Sequence, residues 1–257
     1  AIPAESLNIL VGSRPLKDDD GADRVKLAIM DLLNQKYGIT EADFISAEIE
    51  AVPAFNAVDI GFDRSLIGGY GHDDRVCAYP ALQAILSVSE PPEYTCITVL
   101  TDKEETGSDG NTGLNSSYLK YFIEDLARLE GYEGRDVLRN SKCLSADVNA
   151  AFDPTWSSAF EKNNASFINE GVVVTKFTGS HGKSGTSDAS AGVLWQSGEL
   201  GKVDGGGGGT VAMYIANLDV DVIDVGVPVL SMHAPYEIVS KIDVYMAYKA
   251  FTTFFTK

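Results

Sequence analysis

The spacing of apolar residues divides the chain into alternating helical and extended stretches. Val25, Ile29, Leu32 and Leu33 share one face at helical spacing and predict a helix over 23–37, with Gly38 to end it. Before it, residues 9–12 read as a short strand and 17–20 as an acidic turn. After it, Thr40 to Asp43 resembles a helix start. Residues 44–52 then alternate through Ile45, Ala47, Ile49 and Ala51, the period of a half-buried strand.

From Asp63 the pattern changes. Val76, Tyr79, Leu82, Ile85 and Leu86 predict a helix over 75–89, and the β-branched run 94–100 predicts a buried strand. A helix is expected over 118–129. Strands are expected over 143–148, 171–177, 220–225 and 228–232, a helix begins within 187–195, and a long helix fills 235–255. Strands alternating with helices predict an α/β fold, a sheet covered by helices on both faces. Residues 1–62 form a separate compositional block and predict a small accessory unit, with the main domain over 63–257. No internal repeat is evident, and the one low-complexity run is Gly205–Gly209.

Composition narrows the partners. With 37 acidic against 20 basic residues the formal charge is −17, so a phosphate backbone is an unsuitable ligand and nucleic acid is excluded. Cys77, Cys96 and Cys143 are widely spaced, odd in number and free of C-x-x-C pairing, which fits reduced thiols in a reducing, cytoplasmic compartment. No run approaches the roughly 18 apolar residues of a membrane span. The opening AIPAESLNILVG lacks a basic region followed by an apolar core, so it does not read as a signal peptide.

The acids and histidines fall in an informative place. Asp73 and Asp74 precede a predicted helix, while Glu104 and Glu105 follow the strand predicted over 94–100. Asp147 ends another strand, and His233 follows the strand over 228–232. Open α/β sheets place their sites at such strand ends. Each residue has a plainer reading. Asp73 suits a helix N-cap, Glu104–Glu105 a solvated turn, and His233 a hydrogen-bonded core histidine. His181 reads as a loop residue and His72 as pointing away from Asp73. The combination favours metal chemistry, because zinc accepts imidazole nitrogen and carboxylate oxygen. A pair of ions about 3.5–4 Å apart needs a bridging carboxylate, and a further carboxylate must handle the proton of the attacking water.

The segments GYGHDDRVCAYPALQAIL, VLTDKEETGSDG, CLSADVNAAFDP, KVDGGGGGT and DVGVPVLSMHAPYEI, in this order, resemble the motifs of the aspartyl aminopeptidase / aminopeptidase I family of co-catalytic zinc metallopeptidases. The resemblance covers nearly the whole chain. It implies a mixed sheet flanked by helices, with residues 1–62 as the later part of an inserted oligomerisation domain. It implies Asp73 as a bridging metal ligand, Glu104 as general base, Glu105 and Asp147 as ligands of different metals, and His233 as the partner of Glu105. Gly207 and Gly208 match a loop that lets backbone approach substrate. Two divalent ions are implied, zinc first, with cobalt or manganese also suited to the donors. So are a peptide substrate with a free N-terminus and a large homo-oligomer. Lys176 could pair with an acidic substrate side chain or stand as a surface lysine.

One departure stands out. The family takes a further metal-binding histidine from an N-terminal H-x-D segment, and here no histidine lies upstream of His72. The resemblance therefore implies a chain without the family's N-terminal portion. A catalytically incompetent fragment or assembly module of the same fold is the alternative to an aminopeptidase. An amidohydrolase of non-peptide acyl groups is a third reading.

Overall fold

The computed structural model of the chain describes residues 6, 8–17, 20–175, 192–199, 202 and 211–256. The chain divides into two compact units, Ala1–Ala54 and Phe55–Lys257.

In the first unit, α1 (Arg24–Tyr37) ends at Gly38, whose φ of 72° suits glycine and whose amide donates to the Asn34 carbonyl at 2.8 Å. The Thr40 amide and hydroxyl both donate to Asp43 Oδ2, at 2.7 and 2.8 Å. This closes a 3-10 turn over Glu41–Ile45, and Lys26 pairs with Glu41 across the exposed surface. The strand expected over 44–52 does not form. The turn occupies its start, and Ile45 and Ile49 are 87% and 67% exposed, so the alternation buries no face. Residues 9–12 are likewise outside any strand.

The second unit contains β1 (Val58–Ile60), β2 (Leu66–Gly69), α2 (His72–Leu86), α3 (Tyr118–Leu129), α4 (Gly134–Arg139), β3 (Lys142–Ser145), β4 (Asn149–Ala150), β5 (Val172–Thr175), β6 (Trp195–Gly198), α5 (Ala212–Ala216), β7 (Asp221–Gly226), β8 (Pro228–Leu230), β9 (Glu237–Ser240) and α6 (Lys241–Thr256). One sheet has the order β1-β2-β9-β8-β4 and the other β3-β7-β5-β6. Both are mixed: β4 runs parallel to β8, β3 to β7 and β6 to β5, and the other neighbours are antiparallel. The α/β class is as the alternating pattern predicts.

The core explains the valine-rich strands. Val172 and Val174 of β5, Val225 of β7, Val229 of β8 and Val239 of β9 meet Val76, Cys77 and Ala84 of α2 and Ala247 and Phe251 of α6. The two helices pack side by side. Each such valine or phenylalanine contributes about 1.5–3 kcal/mol by leaving water. Among the described residues, no helix is long and apolar enough to cross a membrane.

Three sequence expectations change here. The helix expected over 235–255 is strand β9 followed by α6, because the Glu237–Ser240 backbone pairs with β2 on one side and Val239 and Ile238 pair with β8 on the other. Residues 94–100 belong to neither sheet. Thr98 Oγ1 donates to the Ala81 carbonyl and Cys96 Sγ to the Phe255 carbonyl, both at 3.5 Å, while Val99 and Leu100 stay exposed. For the helix expected within 187–195, residues 187–191 lie outside the described residues, and Trp195 begins β6.

Asp243, in the first turn of α6, is fully buried. Its oxygens accept from the Asn169 and Gly171 amides, each at 2.7 Å, and so hold the turn that enters β5. Burial pushes its carboxyl up to about 6, against the opposing pull of those two amides. A raised folded pKa contributes stability below the unfolded value of about 3.9 that is lost as pH rises through about 6. The melting-temperature advantage of the parent over Asp243→Asn should therefore be larger at pH 5 than at pH 8. The free-energy change between pH 5 and pH 8 is about 1.4 kcal/mol, since the part of the shift below pH 5 is already lost there. Equal differences at both pH values would refute it.

Candidate metal centre

Four separate pieces of chain converge on one cluster. The first is the start of α2, where Gly71 takes a φ of 75° and Asp73 and Asp74, joined by a cis peptide, depart from helical geometry. The second is a 3-10 turn over Glu104–Thr106. Lys103 and Gly107, both with positive φ, bracket it, and the Ser108 amide donating to the Lys103 carbonyl at 2.7 Å closes it. The third is Asp147, between β3 and β4. The fourth is His233, in the turn between β8 and β9, with a φ of 63°.

The Asp147 segment is anchored from two sides. Asn149 is fully buried, donates from Nδ2 to Thr175 Oγ1 at 3.0 Å and accepts from Ser166 Oγ at 2.9 Å. On the other side Gly226 faces the Asp147 carbonyl so closely that a Cβ there would lie 1.4 Å from the oxygen. Glycine at 226 is a steric requirement of this close approach.

His233 Nε2 lies 2.9 Å from Asp73 Oδ2 and 3.2 Å from Glu105 Oε1. Two groups of donor atoms lie within 4.8 Å of one another: Asp73, Glu105 and His233 in the first, and Asp73, Asp74 and Asp147 in the second. Asp73 is common to both. The first group opens to solvent through Glu105 and His233, whereas the second is more enclosed.

The acids repel one another. Burial, with the Glu105 carboxylate beside it, raises Asp73 to about 7 against the pull of His233. Burial with the charges of Glu104 and Asp73 raises Asp147 to about 7. Burial and Asp147 raise Asp74 to about 9, and burial and Glu105 raise Glu104. Asp74 Oδ1 is buried without a hydrogen-bond partner among the described residues. Crowded carboxylates with an orphaned oxygen and an imidazole form a donor set that divalent cations fit, since cations would reverse the cost of gathering the charges.

The structure thus brings together Asp73, Glu105, Asp147 and His233, with Glu104 close enough for its charge to be felt at Asp147. Two acids touch this cluster beyond those to which the resemblance gives a role. Asp74 was visible as Asp73's neighbour, but its reach to Asp147 was not. Glu237 is buried and accepts from the backbone of both Asp73 and His233. The nearest signal was an acid four residues after His233. His72 is half-buried, its Nε2 is unpartnered among the described residues, and burial pulls its imidazole below the usual range. Gly207, Gly208, Lys176 and His181 lie outside the described residues.

The family profile described as aminopeptidase I zinc metalloprotease (M18) matches residues 4–255. The chain belongs to this family. A probable M18 family aminopeptidase 1 of Clostridium acetobutylicum is 48% identical over 270 residues, covering 98% of this chain and 58% of the relative. A namesake from Thermotoga maritima is 42% identical over 271 residues, covering 98% and 59%. The chain thus spans about three-fifths of the length of the curated M18 relatives it matches. The crystal structure of aminopeptidase I from Clostridium acetobutylicum superposes with a TM-score of 0.89 at 44% identity, over 97% of this chain and 57% of that one. A Saccharomyces cerevisiae aminopeptidase described as a dodecamer, at 21% identity and a TM-score of 0.72, shares the M18 fold.

Proposed function

We propose that this M18 chain carries most of a two-metal centre that removes N-terminal residues from peptides. The observation behind the reading is that two donor groups share Asp73, as a bridging carboxylate requires. Asp73, Glu105 and His233 would hold one ion. Asp73 and Asp147 would hold the other, with Asp74 beside them. Zinc suits the mixture of imidazole and carboxylate. When bound, the ions supply Lewis acidity toward a scissile carbonyl and an attacking water.

The chain's own residues supply the proton handling. Glu104 belongs to neither donor group, and burial and Glu105 raise its carboxyl above the ordinary range. Such a carboxylate is suited to take a proton from the attacking water and return it to the departing amine. Gly207 and Gly208 would let the substrate backbone approach. The exposed edge at Glu105 and His233 gives a peptide end a way in.

Residues 1–62 are proposed as part of the insert through which copies assemble into a large homo-oligomer, in keeping with closed symmetry as the usual outcome. Three free cysteines fit the reducing cytoplasm.

The test pairs metal content per chain with hydrolysis of aminoacyl amides, on full-length protein of verified mass. About two ions per chain with turnover supports the reading. Correctly folded protein with neither would replace it with the assembly-module alternative.

A further inference from the structure

Glu237 opens β9, the middle strand of the five-stranded sheet, and is held in register opposite Gly69 of β2. Its side chain is 2% exposed. Oε2 accepts from the Asp73 amide at 3.0 Å and Oε1 from the His233 amide at 2.8 Å. These two residues lie on different elements, and their side chains meet 2.9 Å apart in the first donor group. One buried carboxylate therefore grips the backbone of two donors at once. His233 also has a φ of 63°, a conformation that non-glycine residues hold only when something fixes it. The hydrogen bond from its amide to Glu237 does so.

We propose that Glu237 is a positioning residue of the metal centre, setting the separation of the Asp73 carboxylate and the His233 imidazole before any ion arrives. The inference rests on the metal-centre reading above. Its chemistry requires a group that accepts on both sides. A glutamine of the same shape offers one accepting oxygen and turns an N–H₂ donor toward the other amide, so the grip on one donor is lost while the volume stays. Groups that orient ligands in this way typically account for 10–100-fold in metal affinity.

The test compares full-length parent and Glu237→Gln by cobalt(II) titration, reading the affinity for each ion and the visible absorption spectrum of the bound metal, with circular dichroism of the metal-free proteins alongside. The expected result is a fold like the parent's, at least one cobalt affinity reduced by about 10–100-fold, and an altered absorption band for the ion affected. Parent protein that binds no cobalt would sink the metal-centre reading and this inference together. Parent binding with an unchanged affinity and spectrum in Glu237→Gln would overturn this inference alone. Should Glu237→Gln fail to fold, amide hydrogen exchange in the metal-free parent decides. Protected Asp73 and His233 amides support the grip, and freely exchanging ones overturn it.

Discussion

Glu104→Gln should keep its full complement of divalent ions and lose about 10²–10⁴-fold in kcat, the usual contribution of general acid–base catalysis. Glu104 stands beside Glu105 in a 3-10 turn but is absent from both donor groups, so its replacement removes no ligand. Glutamine keeps the shape and cannot accept a proton. Because the lost interaction exists only in the transition state, kcat and kcat/KM should fall together. Steady-state kinetics with metal analysis of the same sample checks this. Full activity would take the proton-transfer role away from Glu104, and a missing ion would move it into the ligand set.

Asp73→Asn should weaken both ions at once. Asp73 is the one residue common to the two groups, and the substitution exchanges an anionic donor for a neutral amide. The effect should exceed the roughly 10–100-fold that loss of an outer-shell partner costs. It should appear as parallel shifts in both dissociation constants during chelator competition. Loss of a single ion would show that Asp73 serves one metal only. The same experiment on Asp147→Asn is the natural comparison, since that residue belongs to the second group alone.

Local patterning made part of this molecule readable in advance. The helix over Tyr118–Leu129 has the boundaries its periodicity implies. The strands around 143, 172, 221 and 228 are short β-branched or apolar runs that find neighbours. Where the reading failed, pairing decided against propensity. Residues 94–100 have a strand's composition but pair with no strand among the described residues, and Glu237–Ser240 is drawn into the sheet by β2 and β8 although helix-forming sequence follows. The same limit applies to the candidate centre. Acids and a histidine at strand ends mark Asp73, Glu105, Asp147 and His233 as residues that could gather. Asp74 and Glu237 matter through distances across the fold, 164 positions of chain in the case of Glu237 and Asp73. No local window contains that relation.

The close approach at Gly226 has a consequence for how this chain can vary. Position 226 has no side chain to offer as a ligand or a charge, yet any larger residue there would push back the Asp147 carbonyl. Freedom to change over generations is governed by occupied volume as strictly as by reactivity. A hydrogen atom in place of a methyl group leaves this position as little latitude as a ligand has.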